Sequence, residues 1–161
     1  MRRIIIAELD AIDRRILNSL QRDASLSSVQ LAEQVGISQG PCWRRVRRLE
    51  AEGYVKKRVA VLDRHKLGLN VMIFAHVKLE AHGRKTLPDF EAAIKRFPEV
   101  LECYTLLGET DFLLRIVTSS VEAYEHFFRN HLSQLPAVRE TVSSIALSEI
   151  KNTSELPLSL V

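Results

Sequence analysis

The stretch from Ser27 to Tyr54 constrains the fold of this 161-residue chain more than any other. Ser27 and Gln30 form the capping-box pattern that starts a helix, and the apolar residues of SVQLAEQV follow at helical spacing. Gly36 supplies the left-handed residue that commonly ends a helix. After the short turn GIS, in which Ser38 is placed as a helix cap, a second helical pattern begins. The stretch therefore predicts two helices joined by a tight turn.

The second of these helices concentrates positive charge on one face. At about 100° per residue, Cys42, Val46 and Leu49 form a seam that we expect to be buried, with Arg45 near its edge. The opposite face carries small and basic residues, Gly40, Arg44, Arg47, Arg48 and Ala51, and Gln39 and Trp43 lie on one flank. A solvated face normally mixes both signs of charge, whereas this face has no acidic residue before Glu50. We interpret it as a surface for a polyanion; a solvated amphipathic helix is the alternative.

An upstream pattern adds a third helix. In LDAIDRRILNSLQRD, apolar residues recur at helical spacing from Leu9 to Leu20, with Asp10 as the cap and Asp13 in the first turn. Two helices, a glycine-containing turn and an arginine-faced helix make a helix-turn-helix, whose second helix enters the DNA major groove. Double-stranded DNA is therefore the predicted partner. The next segment, YVKKRVAVL, alternates like a strand with a basic edge, as in a winged-helix-like domain.

Charge is distributed unevenly along the chain. Residues 1–64 hold 13 Lys and Arg against 8 Asp and Glu, whereas residues 65–161 hold 10 against 12. Only the first half is suited to meet a polyanion. We predict a DNA-binding domain at residues 1–62, a linker at 63–70, and a second domain at 71–161.

The second domain alternates strand and helix patterns. A strand over NVMIFAHVKLE precedes a helix that Thr86 caps, and two further strands are joined by a turn at Gly108–Thr110. Ser119 with Glu122 makes the capping box of a second helix, and RETVSSIALSEI is the last strand. The order βαββαβ predicts a ferredoxin-like sheet and an α+β fold for the chain.

The first strand of this sheet is apolar on both sides. One side carries alternate residues of a buried pattern: Val71, Ile73, Ala75, Val77 and Leu79. Met72 and Phe74 on the other side are apolar as well. This pattern predicts that one face packs on the helices and the other on a partner sheet, so the protein is expected to be at least a dimer.

The first domain resembles a known family in detail. The segment from Leu9 to Val55 is similar to the N-terminal domain of Lrp/AsnC transcription regulators, through the opening LDxxDRxIL, Asp23, and VGISxxPCxxRVxxLExxGxV. The resemblance implies that residues 38–50 are the recognition helix and that Arg45 is as readily structural as DNA-binding. The expected DNA-binding residues are Ser38, Gln39, Gly40, Trp43, Arg44, Arg47 and Arg48, with Arg48 the weaker candidate.

The second domain resembles the regulatory domain of the same family, most clearly in LLGETDFLL, and EIKNTSELPL resembles the C-terminal segment of one branch. The resemblance implies dimers that often gather into octamers, as a tetramer of dimers, and small effectors that are mostly amino acids. The family's effectors lie around this turn at contacts between dimers. The expected effector-binding residues are Leu107, Gly108, Glu109, Thr110, Asp111, Ser119 and Ser120.

The turn has the chemistry that an amino acid requires. Asp111 can accept from an ammonium group, Gly108 allows close approach of backbone amides, and the helix opening at Ser119–Ser120 points N–H groups at a carboxylate. The alternative is an ordinary hairpin turn in which Asp111 bonds its own backbone. Glu109 and Thr110 depart from the family's commoner acidic-aromatic pairing, which leaves the effector's side chain open.

The sequence contains no pattern for catalysis, a metal or a cofactor. The five histidines form no ligand pair, the six glycines form no phosphate-cradling loop, and Cys42 and Cys103 are expected in packing roles. No apolar run approaches the ~18–20 residues of a membrane span. Two cysteines make no disulfide framework, which favours the cytoplasm. We predict a sequence-specific transcription regulator with an amino-acid effector; the alternative is an architectural DNA-binding protein without a ligand.

Overall fold

The chain forms two compact units, and its computed structural model describes residues 9–80, 87–135 and 138–160. The first unit runs to Val61 and also includes the tail from Lys151, and the second unit is Leu62–Ile150. The sequence assigned the tail to the second domain, whereas the structure groups it with the first.

The first unit contains, among its described residues, the helices α1 (Ala11–Arg22), α2 (Ser28–Val35) and α3 (Gln39–Ala51). One apolar core lies between them. Its buried members are Ile16, Leu20, Leu31, Ala32, Val35, Cys42 and Leu49. The helical spacing predicted these positions, because one stripe of each amphipathic helix must leave water.

The helix ends are fixed by local hydrogen bonds. The carboxylate of Asp10 accepts from the backbone N–H groups of Ile12 at 2.9 Å and Asp13 at 2.8 Å, so its predicted capping role is confirmed. Gly36 has φ +74°, which lets the chain leave α2 in the left-handed conformation. Ser38 occupies the N-cap of α3, but its side chain makes no capping hydrogen bond. Its backbone carbonyl accepts from Cys42 N at 3.1 Å instead.

The strand predicted for residues 54–62 is wrong for this chain. No part of that described segment is in a strand, although Val59 and Val61 alternate as the sequence shows. Alternation makes a segment able to pair, but a strand also needs a neighbouring backbone. Val59, Val61 and Leu62 are instead exposed, at 62%, 87% and 70%.

The tail is attached to α1 by an amide side chain. Gln21 donates from Nε2 to the carbonyl of Leu156 at 3.0 Å and accepts at Oε1 from the N–H of Leu156 at 2.9 Å. Arg22 Nε lies 3.1 Å from Glu155 Oε2 next to this pair. The tail joins the first unit because Gln21 satisfies both polar groups of one peptide residue.

The second unit has the order β1 (Val71–Leu79), α4 (Leu87–Ile94), β2 (Val100–Thr105), β3 (Phe112–Thr118), α5 (Val121–Asn130) and β4 (Val138–Ile145). Its strands lie in the order β2-β3-β1-β4, and every pair is antiparallel. This arrangement confirms the predicted ferredoxin-like fold.

The two sheet faces differ in exposure. Ile73, Ala75 and Val77 are fully buried in a core that includes Phe90 of α4 and Phe127 of α5, as the alternation of β1 predicted. On the other face, the exposed apolar side chains include Phe74, Tyr104 and Val142. We call this face the outer sheet face.

One detail of the helices differs from the sequence prediction. Ser120, not Ser119, is the N-cap of α5, and its hydroxyl accepts from Ala123 N at 3.1 Å. Within α5, Phe127 is buried and Phe128 packs partly buried against the same core. The predicted cap Thr86 lies outside the described residues.

Candidate DNA-binding and effector sites

The turn between α2 and α3 fixes the position of α3, the helix that carries the four arginines. The N–H groups of Gly36 and Ile37 donate to the last carbonyls of α2, at 3.1 Å to Glu33 and 3.0 Å to Ala32. Gln39 Nε2 donates to Ser28 Oγ at 2.9 Å, which links the starts of the two helices. These bonds fix α3 against α2 at the end where the predicted DNA contacts begin.

Gly40, in the first turn of α3, is not required by internal packing. An added Cβ would meet only Arg44 Nη1, at 3.9 Å. A small residue at this position therefore leaves free space outside the helix rather than inside the domain. That space is what a closely approaching DNA backbone requires.

The exposed surface of α3 carries an aromatic ring and two arginines. Trp43 is 53% exposed, and Arg44 and Arg47 are exposed as well. The Arg47 guanidinium carbon lies 5.7 Å from the centre of the Trp43 ring, a cation–π contact. Arg47 Nη1 is also 3.9 Å from Glu50 Oε2, but the contact is long and the Arg47 side chain is 68% exposed, so the ion pair is weak and easily exchanged.

The other two arginines of α3 are bound within the protein. Asp13 of α1 is 1% exposed and receives Arg45 Nη1 at 2.8 Å on one oxygen and Arg48 Nη2 on the other. Arg45 Nη1 also lies 2.6 Å from the exposed carboxylate of Asp10. The face that looked free of acids in the sequence is thus partly neutralised by α1.

The electrostatics follow from these contacts. Hydrogen bonds to Asp13 raise the pKa of Arg45 and of Arg48. The N–H of Asp13, together with Arg45, lowers the pKa of Asp10. Arg45, Arg48 and Asp10 therefore stay ionised at neutral pH.

This charge cluster was not predicted, although the sequence contains a signal for it. Asp13 precedes Ile16, Leu17 and Leu20 by three, four and seven residues, which places its carboxylate on the buried stripe of α1. A buried carboxylate needs cationic partners. The arginines of α3 are the cations that the fold brings to it.

At the predicted effector turn, the backbone and the Asp111 side chain are engaged. Asp111 Oδ2 accepts from Leu79 N at 2.7 Å, and Asp111 N donates to the Val77 carbonyl at 3.0 Å. The N–H of Leu106 donates to the Asp111 carbonyl at 2.8 Å. The carboxylate thus holds the end of β1, rather than its own backbone as in the hairpin alternative.

The rest of the turn is open. Leu107, Gly108 and Glu109 are exposed, and Thr110 Oγ1 lies 3.5 Å from His76 Nδ1. Gly108 has neither a positive φ nor a neighbour within 4 Å of an added Cβ, so the turn itself does not require glycine. The structure therefore leaves space beside Gly108 rather than a close internal contact.

The sequence placed Ser119 and Ser120 near this turn, and that expectation is wrong within one chain. The turn precedes β3, whereas the two serines follow it, and β3 spans Phe112–Thr118. A strand of this length separates its ends by about 20 Å. Ser119 and Ser120 could therefore reach such a turn only from a neighbouring molecule.

Among the described residues, no group of three or more His, Cys, Asp or Glu side chains could hold a metal ion. No helix in the same part of the chain is long and apolar enough to cross a membrane.

Comparison with known proteins identifies the class of protein to which this chain belongs. Residues 9–56 match the winged helix-turn-helix DNA-binding family, and residues 72–156 match the Lrp/AsnC ligand binding domain family. A helix-turn-helix DNA-binding domain followed by a ligand-binding domain is the architecture of a DNA-binding transcription regulator rather than an enzyme. The chain belongs to the Lrp/AsnC family.

Individual relatives agree along nearly the whole chain. The DNA-binding transcriptional activator DecR of Escherichia coli K12 is 36% identical over 93% of this chain and 99% of its own length. The transcriptional regulator AzlB of Bacillus subtilis is 38% identical over 93% and 96%. A transcriptional regulator of Neisseria meningitidis, solved in complex with L-Met, is 37% identical with a TM-score of 0.92, covering 96% of this chain and 100% of that one.

Proposed function

We propose that this regulator reads specific DNA sequences through α3 and changes its DNA affinity or assembly when an amino acid binds the second domain. The observation that carries the proposal is the exposed surface of α3, where Trp43, Arg44 and Arg47 stand clear of the internal charge cluster. Ser38, Gln39 and Gly40 would lie at the helix N-terminus, where backbone N–H groups favour a phosphate. Such a protein acts where the chromosome is, in the cytoplasm of a bacterium or archaeon.

Selection of binding sites from random double-stranded DNA tests the first part. Two α3 helices in a dimer should select a pseudo-palindrome whose half-sites lie about 10 base pairs apart, or a multiple of that. The logarithm of affinity should fall with that of salt concentration by about 0.9 per phosphate contact. We expect a specific operator to emerge; enrichment of bent or A·T-rich DNA without half-sites would indicate an architectural protein instead.

An amino acid is the proposed effector because the matched domain binds ligands and the relative from Neisseria was solved with L-Met. The open turn at Leu107–Asp111 is the proposed site, completed by a neighbouring molecule because Ser119 and Ser120 are distant within one chain. A thermal-shift screen of the amino acids tests this part. A ligand present at 100 times its Kd should stabilise the protein by about 2.7 kcal/mol.

Asp111 separates the effector role from the structural one. Asp111→Asn keeps an acceptor for the Leu79 N–H but removes the negative charge that would bind an ammonium group. We expect Asp111→Asn to lose the amino-acid-induced rise in Tm while keeping the ligand-free Tm and operator affinity of the wild type. Asp111→Ala is expected to lose, in addition, about 1 kcal/mol of unfolding free energy, because it leaves the Leu79 N–H without this acceptor. A wild-type ligand response in Asp111→Asn would place the effector elsewhere.

Assembly is the last part of the proposal. The outer sheet face is apolar and exposed in the single chain, and a second copy of the same face is the simplest cover for it. We propose a dimer through this face, and an octamer in which four dimers meet around the effector turns.

A further inference from the structure

We propose that Asp13 is a specificity-determining positioning residue: it withholds Arg45 and Arg48 from DNA phosphates, so that α3 meets DNA through Arg44 and Arg47. The inference rests on the proposed function in one respect, that α3 is the DNA-reading helix. The inference adds which arginines of α3 are kept from DNA, and it names Asp13 as the residue that holds them.

Both oxygens of Asp13 are occupied. Oδ1 accepts from Arg45, and Oδ2 accepts from Arg48 and, at 3.3 Å, from the N–H of Asp10. At 1% exposure, the carboxylate has no access to water that could replace these donors. Leaving a buried charge unpaired is strongly unfavourable, so a phosphate cannot remove both arginines from Asp13.

The contact of Arg45 with Asp10 is of a different kind. Asp10 is 49% exposed at its side chain, and an exposed pair exchanges readily with solvent or another anion. Another anion can therefore replace Asp10 as a partner of Arg45, whereas it cannot replace Asp13. Arg48 is held by Asp13 although 42% of its own side chain is exposed. Exposure alone would have counted Arg48 among the available cations.

The spacing of the four arginines determines which side of α3 faces outward when Asp13 binds two of them. Arg45 and Arg48 are three residues apart and so share one stripe of the helix, as do Arg44 and Arg47. The centres of the two pairs are displaced by about 100° around the axis, with Arg44 and Arg48 adjacent at about 40°. Binding the first stripe to α1 fixes the rotation of α3 and thereby presents the second stripe outward.

Withholding two arginines suppresses binding to DNA of any sequence. Each free arginine that meets a phosphate adds about 0.9 to the salt slope and strengthens non-specific binding in proportion. Phosphate contacts carry no sequence information directly. A helix with four free arginines would therefore gain affinity for all DNA, and the ratio of operator to random DNA affinity would fall.

Asp13→Asn tests the inference, because it keeps the shape of the side chain and removes the charge. Binding of the full-length variant to the selected operator and to random duplex DNA is measured by fluorescence anisotropy from 50 to 400 mM salt. We expect a steeper salt slope on random DNA, by up to about 0.9 per released arginine, and a fall of at least about tenfold in the operator-to-random affinity ratio. Asp10→Asn is the matched control, and its slope should rise by less because Asp13 still holds Arg45.

Arg48→Gln keeps the test decisive if Asp13→Asn folds poorly. A withheld Arg48 predicts an unchanged salt slope on random DNA for Arg48→Gln. A slope lowered by about 0.9 would show that Arg48 already contacts phosphate and would overturn the inference. Equal loss of both affinities in a folded Asp13→Asn, with an unchanged slope, would also overturn it, since that is the result of a merely structural role. Failure of the proposed function looks different: the wild type would then select no operator.

Discussion

Arg44→Ala and Arg47→Ala are each expected to lower affinity for the selected operator by about 1–3 kcal/mol if the arginine reads a guanine. Both side chains are exposed on α3, so neither substitution removes a buried contact, and the Tm of the protein should stay near that of the wild type. An arginine that contacts only phosphate would instead lower affinity for all DNA alike and reduce the salt slope by about 1. Fluorescence anisotropy on operator and random DNA separates the two cases.

The matched control is Arg129→Ala, which removes the same charge from an exposed position on α5 in the second unit. Arg129 pairs with Glu125 of α5 at 2.8 Å, four residues before it, a surface contact of little energetic weight. Its operator affinity should equal that of the wild type. If Arg44→Ala and Arg47→Ala both bound the operator as tightly as this control, α3 would not be the reading helix.

The sequence predicted most of the fold because the determining signals are local. Helical spacing located the core positions of α1, α2 and α3, and the Asp10 and Ser27 caps located two helix starts. Period-two alternation likewise assigned Ile73, Ala75 and Val77 to the buried side of β1. Each of these signals lies within a few residues of the element that it defines.

The parts that were wrong or missed depend on distant residues. Arg48 meets Asp13 across 35 positions of sequence, and no local spacing shows that they touch. Ser119 and the effector turn are close in sequence, yet they lie at opposite ends of β3. Residues 54–62 alternate like a strand but have no paired backbone in the described chain. Local patterns indicate which structure a segment is able to form, and tertiary contacts determine whether the segment forms it.

The outer sheet face combines apolar side chains with the ion pair of Arg115 and Glu102. Phe74 is 37% exposed, and Tyr104 and Val142 are about half exposed, at 52% and 53%. On the same face, Arg115 Nη2 bonds Glu102 Oε1, and the Tyr104 hydroxyl lies 3.1 Å from the other oxygen of Glu102. Hydrogen bonding to Arg115 lowers the pKa of Glu102, so this carboxylate stays ionised at neutral pH. A second copy could cover the face without leaving Glu102 unpaired.

Phe74→Asp is therefore expected to convert the protein to a monomer. The substitution places a carboxylate on the outer sheet face, and dimerisation would bury one such charge from each protomer at a cost of several kcal/mol per charge. Phe74 is partly exposed and its side chain is not part of the core between sheet and helices, so the folded chain should persist, with an unchanged circular dichroism spectrum. Light scattering at micromolar concentration measures the mass.

Val121→Asp is the control that makes this result specific to the sheet face. Val121 is 49% exposed in the same unit, but it is the first residue of α5, where a carboxylate is favoured by the helix N-terminus. It adds the same charge at a site of similar exposure and should leave the dimer intact. A Phe74→Asp variant with the same mass as Val121→Asp would show that the chain assembles through another surface. A monomeric Phe74→Asp variant should also lose operator binding at concentrations where Val121→Asp retains it, because a monomer contacts one half-site and makes half of the base contacts. That result would show that the paired sheets place two α3 helices on one operator.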